Sequence, residues 1–351
     1  MVEKDTMEYR HLGSAGVKVS VVSFGNWLTG HSPEADEASF QCISKALEAG
    51  VNFIDTAEIY GYGQAETHIG NVLKRGGWDR DSLVISTKFW RIGTKPNRSG
   101  LGRKRLVQGA KNSLKRLQLD YADIIFAHRP DYETPLEETV RAFNHLIETG
   151  RADYWGTSEF SAEELMEIYS ICDKKGFYRP VVEQPQYNML WREKLEVELA
   201  PLFDQYGLGT TVWSPLAGGA LSGKYNDGNV PEGSRFADPN LFPLIKKRFD
   251  DLFVPERREK TISMFAGIKA IADDLGATQS QLALAWAIKN KDVSTAIFGA
   301  TRVDQVADNL GAVEVSHKLT PEILARIEDL LDNRPKAPVN WRTWGPFPNR
   351  R

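Results

Sequence analysis

Short apolar runs alternate with longer amphipathic stretches along most of the chain. The runs are rich in β-branched residues and predict strands, and the stretches between them repeat with a helical period. The predicted strands are 19–24, 51–55, 82–88, 122–126, 151–157, 180–184, 209–213 and 294–298. The predicted helices are 35–49, 64–75, 103–117, 136–149, 161–174, 192–206, 258–275, 278–289, 302–311 and 320–332. Connections of this length require parallel strands with right-handed crossovers, so the pattern predicts an α/β fold, a single (β/α)8 TIM barrel.

Three segments lie outside this rhythm. Two short runs around a Ser-Ala-Gly turn before the first strand predict an N-terminal β-hairpin on the barrel floor. Residues 226–256, rich in Pro and Gly, predict a long structureless loop after strand seven, and loops of that length are usually functional. Residues from about 335 to 351 contain several prolines and predict an extended tail. Because no linker divides the chain, we expect one domain over 1–351.

Composition excludes several classes of protein. With 41% hydrophobic and 26% charged residues the chain is neither disordered nor fibrous. A formal charge of −3 gives no field that would attract nucleic acid or an acidic membrane surface. The two cysteines suggest neither a disulfide framework nor a metal site, and the histidines show no metal-binding spacing. Without an apolar signal segment or a span of about 18 apolar residues, a cytoplasmic location is expected.

Polar residues end or follow most of the predicted strands. In a βα barrel these positions converge on one pocket, although a single strand-end Asp is often a helix cap and a single Lys is often solvated. Asp55, Lys88 and His128 follow three consecutive strands, and Tyr60 lies on the loop after Asp55. A lysine held by a carboxylate would stabilise the phenolate of a nearby tyrosine, which could then act as an acid. A histidine suits hydrogen bonding to a carbonyl oxygen on which negative charge grows.

These residues lie in longer stretches that resemble a known family. GVNFIDTAEIYGYGQAE at 50–66 is similar to the signature of the aldo-keto reductases around their catalytic Asp and Tyr, and STKF at 86–89 is similar to their lysine motif. Within the family, the cytoplasmic β subunits of Shaker-type potassium channels are the most similar. That likeness rests on FAHRPD, TPLEETVRAFNHLIETGRADYWGTS, WSPLAGGALSGKY and FGATRVDQVADNLGA, and it spans nearly the whole chain.

The resemblance implies an NADPH-dependent reductase of aldehydes or ketones. Its catalytic residues would be Asp55, Tyr60, Lys88 and His128, with Tyr60 as the proton donor. The substrate would be lined by Trp27, Tyr60, Trp90 and His128, although Trp90 could equally pack in the core. Animal channel subunits carry Asn where this chain has His128, and histidine is the usual residue of active family reductases, so the departure favours catalysis.

The resemblance also implies a set of cofactor-binding residues. Ser158 and Gln184 would hold the nicotinamide carboxamide, Trp213 would lie against its ring, and Arg302 could face the 2′-phosphate. The implied set is Trp27, Asp55, Ser158, Gln184, Trp213, Ser214, Pro215, Leu216, Gly218, Lys224, Arg235, Gly299, Thr301, Arg302, Gln305, Asp308 and Asn309. Residues 226–256, with Arg235, would cover the cofactor. Glu159 departs from the channel subunits, which carry Arg there, and the lost positive charge bears on the strength of cofactor binding.

Other interpretations compete with this one. GGALSGKY at 218–225 approaches a phosphate-binding P-loop but has Tyr225 where the motif needs Ser or Thr, and GYGQAE lacks the third glycine of a Rossmann fingerprint. A rival of a different class is a channel-regulating subunit that binds NADPH as a redox signal, docks on a membrane channel's cytoplasmic domain and forms a homotetramer. With only about ten residues before the hairpin, pore plugging by an N-terminal extension is not expected.

Overall fold

Eight parallel strands close into a barrel in the computed structural model, which describes residues 7–27 and 33–336. The barrel prediction is therefore confirmed. Each strand pairs with the next along the chain, and the last pairs with the first. The barrel strands are β3 (Val22–Gly25), β4 (Phe53–Asp55), β5 (Val84–Phe89), β6 (Ala122–Ala127), β7 (Ala152–Thr157), β8 (Val182–Glu183), β9 (Gly209–Trp213) and β10 (Thr295–Phe298).

Helices surround the barrel and bury their apolar faces against it. They are α1 (Pro33–Glu48), α2 (Gln64–Gly76), α3 (Arg103–Leu117), α4 (Leu136–Glu148), α5 (Ala162–Lys175), α6 (Ala200–Tyr206), α7 (Pro243–Asp250), α8 (Pro255–Asp274), α9 (Gln279–Lys289), α10 (Val303–Leu310), α11 (Ala312–Lys318) and α12 (Pro321–Leu331). Ser161 and Thr278 begin α5 and α9 with capping boxes. Within the described part of the chain, no helix is long and apolar enough to cross a membrane.

The prediction of one continuous helix over 192–206 was wrong. A π-turn at Lys194–Glu198 precedes α6, which has a proline in its first turn. Pro201 has no N–H to donate and its ring obstructs the preceding turn, so a regular α-helix cannot run through it. The short helix α11 was not predicted.

The predicted hairpin closes the bottom of the barrel. It consists of β1 (Tyr9–His11) and β2 (Lys18–Ser20), and its Leu12 and Val19 pack among barrel residues such as Phe53. The predicted strand 19–24 was wrong because it joined the end of this hairpin to β3. The run Val-Ser-Val-Val-Ser-Phe gives no turn signal at the bend at Val21, where the Ser20 hydroxyl donates to the Val22 carbonyl (2.7 Å).

The segment after β9 has more structure than expected. Residues 226–256, here called the strap, contain a 3₁₀ turn at Arg235–Ala237, the helix α7 and the start of α8, so the prediction of a structureless loop was wrong. The Phe236 and Phe249 rings stack with centroids 3.8 Å apart, and Tyr225 packs edge-on against both. This aromatic cluster fixes the strap on the barrel. The predicted tail lies outside the described residues beyond Lys336.

Candidate active site

Three predicted catalytic groups meet at the C-terminal edge of the barrel. Asp55 ends β4 and Lys88 lies near the end of β5, while Tyr60 begins a 3₁₀ turn, Tyr60–Gly63, on the loop after β4. Lys88 Nζ donates to Asp55 Oδ2 (2.5 Å) and to the Thr56 carbonyl (2.8 Å), and lies 3.4 Å from the Tyr60 hydroxyl. Lys88 has no exposed surface, so the Asp55 carboxylate is what supports a positive charge there.

The barrel holds the Asp55 carboxylate from several strands. Ser86 Oγ donates to Asp55 Oδ1 (2.7 Å), because parallel pairing places Ser86 directly beside Asp55. Gln184 Nε2 donates to the same oxygen (3.2 Å) and to Thr211 Oγ1 (3.1 Å). Both carboxylate oxygens are thus occupied, and the direction of Lys88 is fixed before any ligand binds.

His128 follows β6 and faces Tyr60. Their rings meet edge to face with centroids 5.8 Å apart. Burial, with the positive charges of Arg129 and Lys88 nearby, holds the pKa of His128 well below its usual value near 6.5. Its Nδ1 has no hydrogen-bond partner among the described residues. A neutral imidazole with an uncommitted nitrogen is suited to hydrogen-bond a carbonyl oxygen.

The predicted substrate-side tryptophans differ in position. The Trp27 ring lies 6.3 Å from the Tyr60 ring, and the Arg235 guanidinium lies 4.6 Å above Trp27. Trp90 is half-buried and packs against the apolar cluster of α3 and α4. The structure therefore brings Trp27 close to Tyr60, whereas the role of Trp90 stays a prediction.

Arg129 is a residue of this edge that the sequence reasoning missed. Its Nη1 donates to Ser158 Oγ (2.9 Å) and to the His128 carbonyl, and Ser158 Oγ donates in turn to the Gln184 carbonyl (2.9 Å). The guanidinium carbon lies 5.9 Å from the Trp213 ring. Its position directly after His128 is the signal that could have identified it. The network joins Ser158 to Gln184, and the shared role of Ser158, Gln184 and Trp213 at a nicotinamide stays a prediction.

A backbone cradle follows β9. Ser214, Ala217, Gly218 and Gly219 all have positive φ angles, and Ser214 Oγ accepts from the Gly218 N–H (2.7 Å). The N–H groups of Ala217 and Gly219 donate to the carbonyls of Ser214 (2.9 Å) and Leu216 (2.8 Å), so hydrogen bonds within the turn hold it in this conformation. A Cβ on Gly218 would lie 3.2 Å from Ile245 of α7, so the strap closes tightly on this turn. Pro215 is buried and Leu216 half-buried beneath it.

Two cations near the cradle lack carboxylate partners. Arg235 Nη1 donates to the Gly218 carbonyl (3.2 Å), and burial lowers the pKa of Arg235 to about 10. Among the described residues, neither Arg235 nor the exposed Lys224 forms an ion pair. A half-buried cation without a counter-ion is suited to bind an anionic group.

The predicted adenosine-side residues lie just before α10 and along it. The Thr301 N–H donates to Gln305 Oε1 (2.9 Å), and the exposed Arg302 pairs with Asp304 (3.1 Å). Asp308 Oδ1 accepts from Thr278 Oγ1 (2.9 Å). Gly299 is half-buried and Asn309 buried. The structure places these residues together, and their contact with a nucleotide stays a prediction.

Comparison with known proteins agrees with this architecture. The sequence profile described as "Aldo/keto reductase family" matches residues 21–332, from the start of the barrel through α12. A probable voltage-gated potassium channel subunit beta from Arabidopsis thaliana is 46% identical over 96% of this chain and 100% of its own length. The corresponding rice protein, from Oryza sativa subsp. japonica, is 44% identical over the same shares. A putative subunit beta from Schizosaccharomyces pombe is 48% identical over 93% of this chain and 94% of its own length. With the closed barrel and the strand-end residues described above, these matches show that this chain belongs to the aldo/keto reductase family.

Proposed function

We propose that this chain reduces aldehydes or ketones to alcohols with NADPH and that Tyr60 donates the proton. One observation carries the proposal: the Tyr60 hydroxyl lies 3.4 Å from a lysine that is buried against Asp55, and it faces the neutral His128. When bound, NADPH supplies the hydride. The family supports an oxidoreductase, and the arrangement of Tyr60, Lys88 and His128 supports the carbonyl group as the reacting centre.

Each residue of the site has a distinct role in this proposal. His128 donates a hydrogen bond to the carbonyl oxygen and orients it towards Tyr60. Tyr60 transfers its hydroxyl proton to that oxygen as negative charge develops there, and the Lys88 ammonium stabilises the phenolate that remains. Asp55 keeps Lys88 charged and directed. Trp27 and Trp90 would line the substrate.

We assign the cofactor-binding roles from the family resemblance and from the positions of these residues around the site. Ser158, Gln184 and Trp213 would hold the nicotinamide, while the cradle and Arg235 would hold the pyrophosphate with the strap across it. Gly299, Thr301, Gln305, Asp308 and Asn309 would surround the adenosine, and Arg302 would contact the 2′-phosphate. The unpaired charge of Arg235 beside the Gly218 carbonyl supports this assignment.

The test is loss of reduced-nicotinamide absorbance with a panel of small aldehydes and ketones. The wild type should turn over, and Tyr60→Phe should lose several orders of magnitude in kcat while keeping its Kd for NADPH. Normal turnover by Tyr60→Phe would exclude Tyr60 as the proton donor.

A second candidate function rests on the relatives, three of which are named as potassium channel β subunits at 44–48% identity. We propose as the alternative a cytoplasmic homotetramer that docks on a channel's cytoplasmic domain and reports the NADPH state. It would bind NADPH tightly with negligible turnover of any carbonyl in the panel. Light scattering of the purified protein would test the tetramer independently of activity.

A further inference from the structure

Glu159 occupies an unusual backbone position next to the proposed nicotinamide site. It follows Ser158 on the loop between β7 and α5, and its φ of 64° lies in the left-handed region. That region is unfavourable for a residue with a side chain and persists where the surroundings impose it. Its side chain is mostly buried, with 24% of its surface exposed. The hydrogen bonds of the Glu159 carboxylate hold the residue in this conformation.

Glu159 Oε1 accepts two hydrogen bonds from residues at the ends of the two neighbouring strands, β8 and β9. One comes from the Gln186 N–H (2.7 Å), and the other comes from Trp213 Nε1 (2.8 Å). The Trp213 backbone is fixed separately, because its N–H donates to the Pro185 carbonyl (3.1 Å). Rotation of an aromatic ring about its outer torsion is otherwise weakly restricted. The bond to Glu159 therefore determines how the indole plane is presented to the pocket.

The contact between Glu159 and Trp213 also changes the electrostatic potential at the indole ring. A carboxylate bound to the indole N–H adds negative potential to a ring face that already attracts cations. Lys194 Nζ lies 4.0 Å from Glu159 Oε2, and Arg248 lines the same cavity. Arg129 lies near the Trp213 ring. Glu159 thus places a negative charge beside Trp213 and near Lys194 and Arg248.

We propose that Glu159 is a positioning residue that orients Trp213 and makes this site favour the oxidised, positively charged nicotinamide over the reduced, neutral one. This inference rests on the proposed function, because it takes Trp213 to be the surface beside the nicotinamide. The residue at position 159 would then set the relative affinity for NADP⁺ and NADPH.

Three variants separate the two effects. Glu159→Gln keeps an acceptor for both N–H groups and removes the charge, whereas Glu159→Ala removes both. Glu193→Gln is the matched control, since Glu193 is exposed, lines the same cavity and makes the same change in charge. All variants are first compared by circular dichroism and Tm.

Isothermal titration calorimetry with NADP⁺ and NADPH gives the decisive readout. In Glu159→Gln the ratio Kd(NADP⁺)/Kd(NADPH) should rise roughly three- to tenfold, with Glu193→Gln unchanged. The indole ¹⁵N–¹H signal of Trp213, assigned with Trp213→Phe, should shift in Glu159→Gln and broaden or shift further in Glu159→Ala without nucleotide.

An unchanged ratio in Glu159→Gln, in a protein whose wild type binds both nucleotides, would overturn the inference and leave the proposed function intact. An unmoved Trp213 signal in both Glu159 variants would also overturn it. A wild type that binds neither nucleotide would refute the proposed function itself, and this inference with it.

Discussion

Lys88 and Arg235 are two cations withdrawn from water at the same end of the barrel, and their surroundings differ. Lys88 has no exposed surface and is paired with Asp55, whose other oxygen is held by Ser86 and Gln184. Arg235 on the strap is half-buried and has a backbone carbonyl and the face of Trp27 as its contacts. The first charge is balanced by the fold, whereas the second is not.

The two environments suit the two cations to different roles. A buried charge that is already paired costs no reorganisation during a reaction, so the Lys88 region suits catalysis. A desolvated charge without a counter-ion raises the free energy of the empty protein and lowers it when an anion binds. The Arg235 region therefore suits ligand binding.

The largest effect should come from breaking the balanced pair. Lys88→Met leaves Asp55 buried without its cation, so the free energy of unfolding should fall by about 3–5 kcal/mol and turnover by several orders of magnitude. Urea unfolding and the absorbance assay measure the two effects. Tyr60→Phe is the control, because it should lose turnover with little loss of stability. Equal stability of Lys88→Met and wild type would show that Lys88 does not balance the charge of the buried Asp55.

Removing the unbalanced cation should affect binding instead. Arg235→Met should weaken NADPH and NADH alike, by roughly 10- to 100-fold for a lost charged contact, without lowering Tm. Calorimetric titration and a thermal melt give both quantities. Lys247→Met, on the exposed face of α7, is the control for a change of charge on the strap. Destabilisation of Arg235→Met with unchanged Kd values would assign Arg235 a structural role.

The burial of His128, with the positive charges of Arg129 and Lys88 nearby, should make stability depend on pH. The folded pKa of His128 is depressed, so between that value and about 6.5 the unfolded chain binds more protons than the folded one. Its contribution to stability is therefore complete above pH 6.5 and is lost as pH falls towards the folded pKa. Relative to His128→Asn, the wild type should lose unfolding free energy between about pH 7 and pH 5. Parallel curves for the two proteins would contradict a neutral, buried His128.

The smallest effect is expected at the exposed end of the site. Arg302 is solvated and already paired with Asp304, so Arg302→Ala should weaken NADPH by roughly three- to tenfold and leave NADH unchanged. The ratio of the two Kd values, measured by titration, checks this. An equal loss for both nucleotides would reject a contact with the 2′-phosphate.

Much of the fold and of the candidate site could be predicted, because both follow from local patterns and topology. Short β-branched or apolar runs mark the barrel strands, and parallel closure brings strand-end residues such as Asp55 and Lys88 together. The bend between Val19 and Val22 could not be predicted, because both sides of it are apolar. The strap helix was missed since its stability comes from the Phe236–Phe249 cluster, a contact between residues distant in sequence.

Long-range polar contacts were missed for the same reason. Glu58 pairs with Arg105 and Glu66 with Arg116 (2.6 Å) in buried ion pairs, yet each of these residues is typical of an exposed helix or loop. Glu159 was noted for its difference from relatives, but its bond to Trp213 joins the loop after β7 to the end of β9. No local sequence pattern predicts a contact between two residues so far apart in the chain.

The most direct test of a catalytic Tyr60 beside a balanced Lys88 is a single turnover. Enzyme preloaded with NADPH is mixed with excess aldehyde in a stopped-flow instrument, and the reduced-nicotinamide absorbance is followed for wild type and Tyr60→Phe. Because one turnover does not require cofactor release, slow nucleotide exchange cannot hide the chemistry. We predict a rapid decay in the wild type that is slowed by several orders of magnitude in Tyr60→Phe. Equal decay rates in the two proteins, or a stable signal in the loaded wild type with every carbonyl tried, would contradict this account.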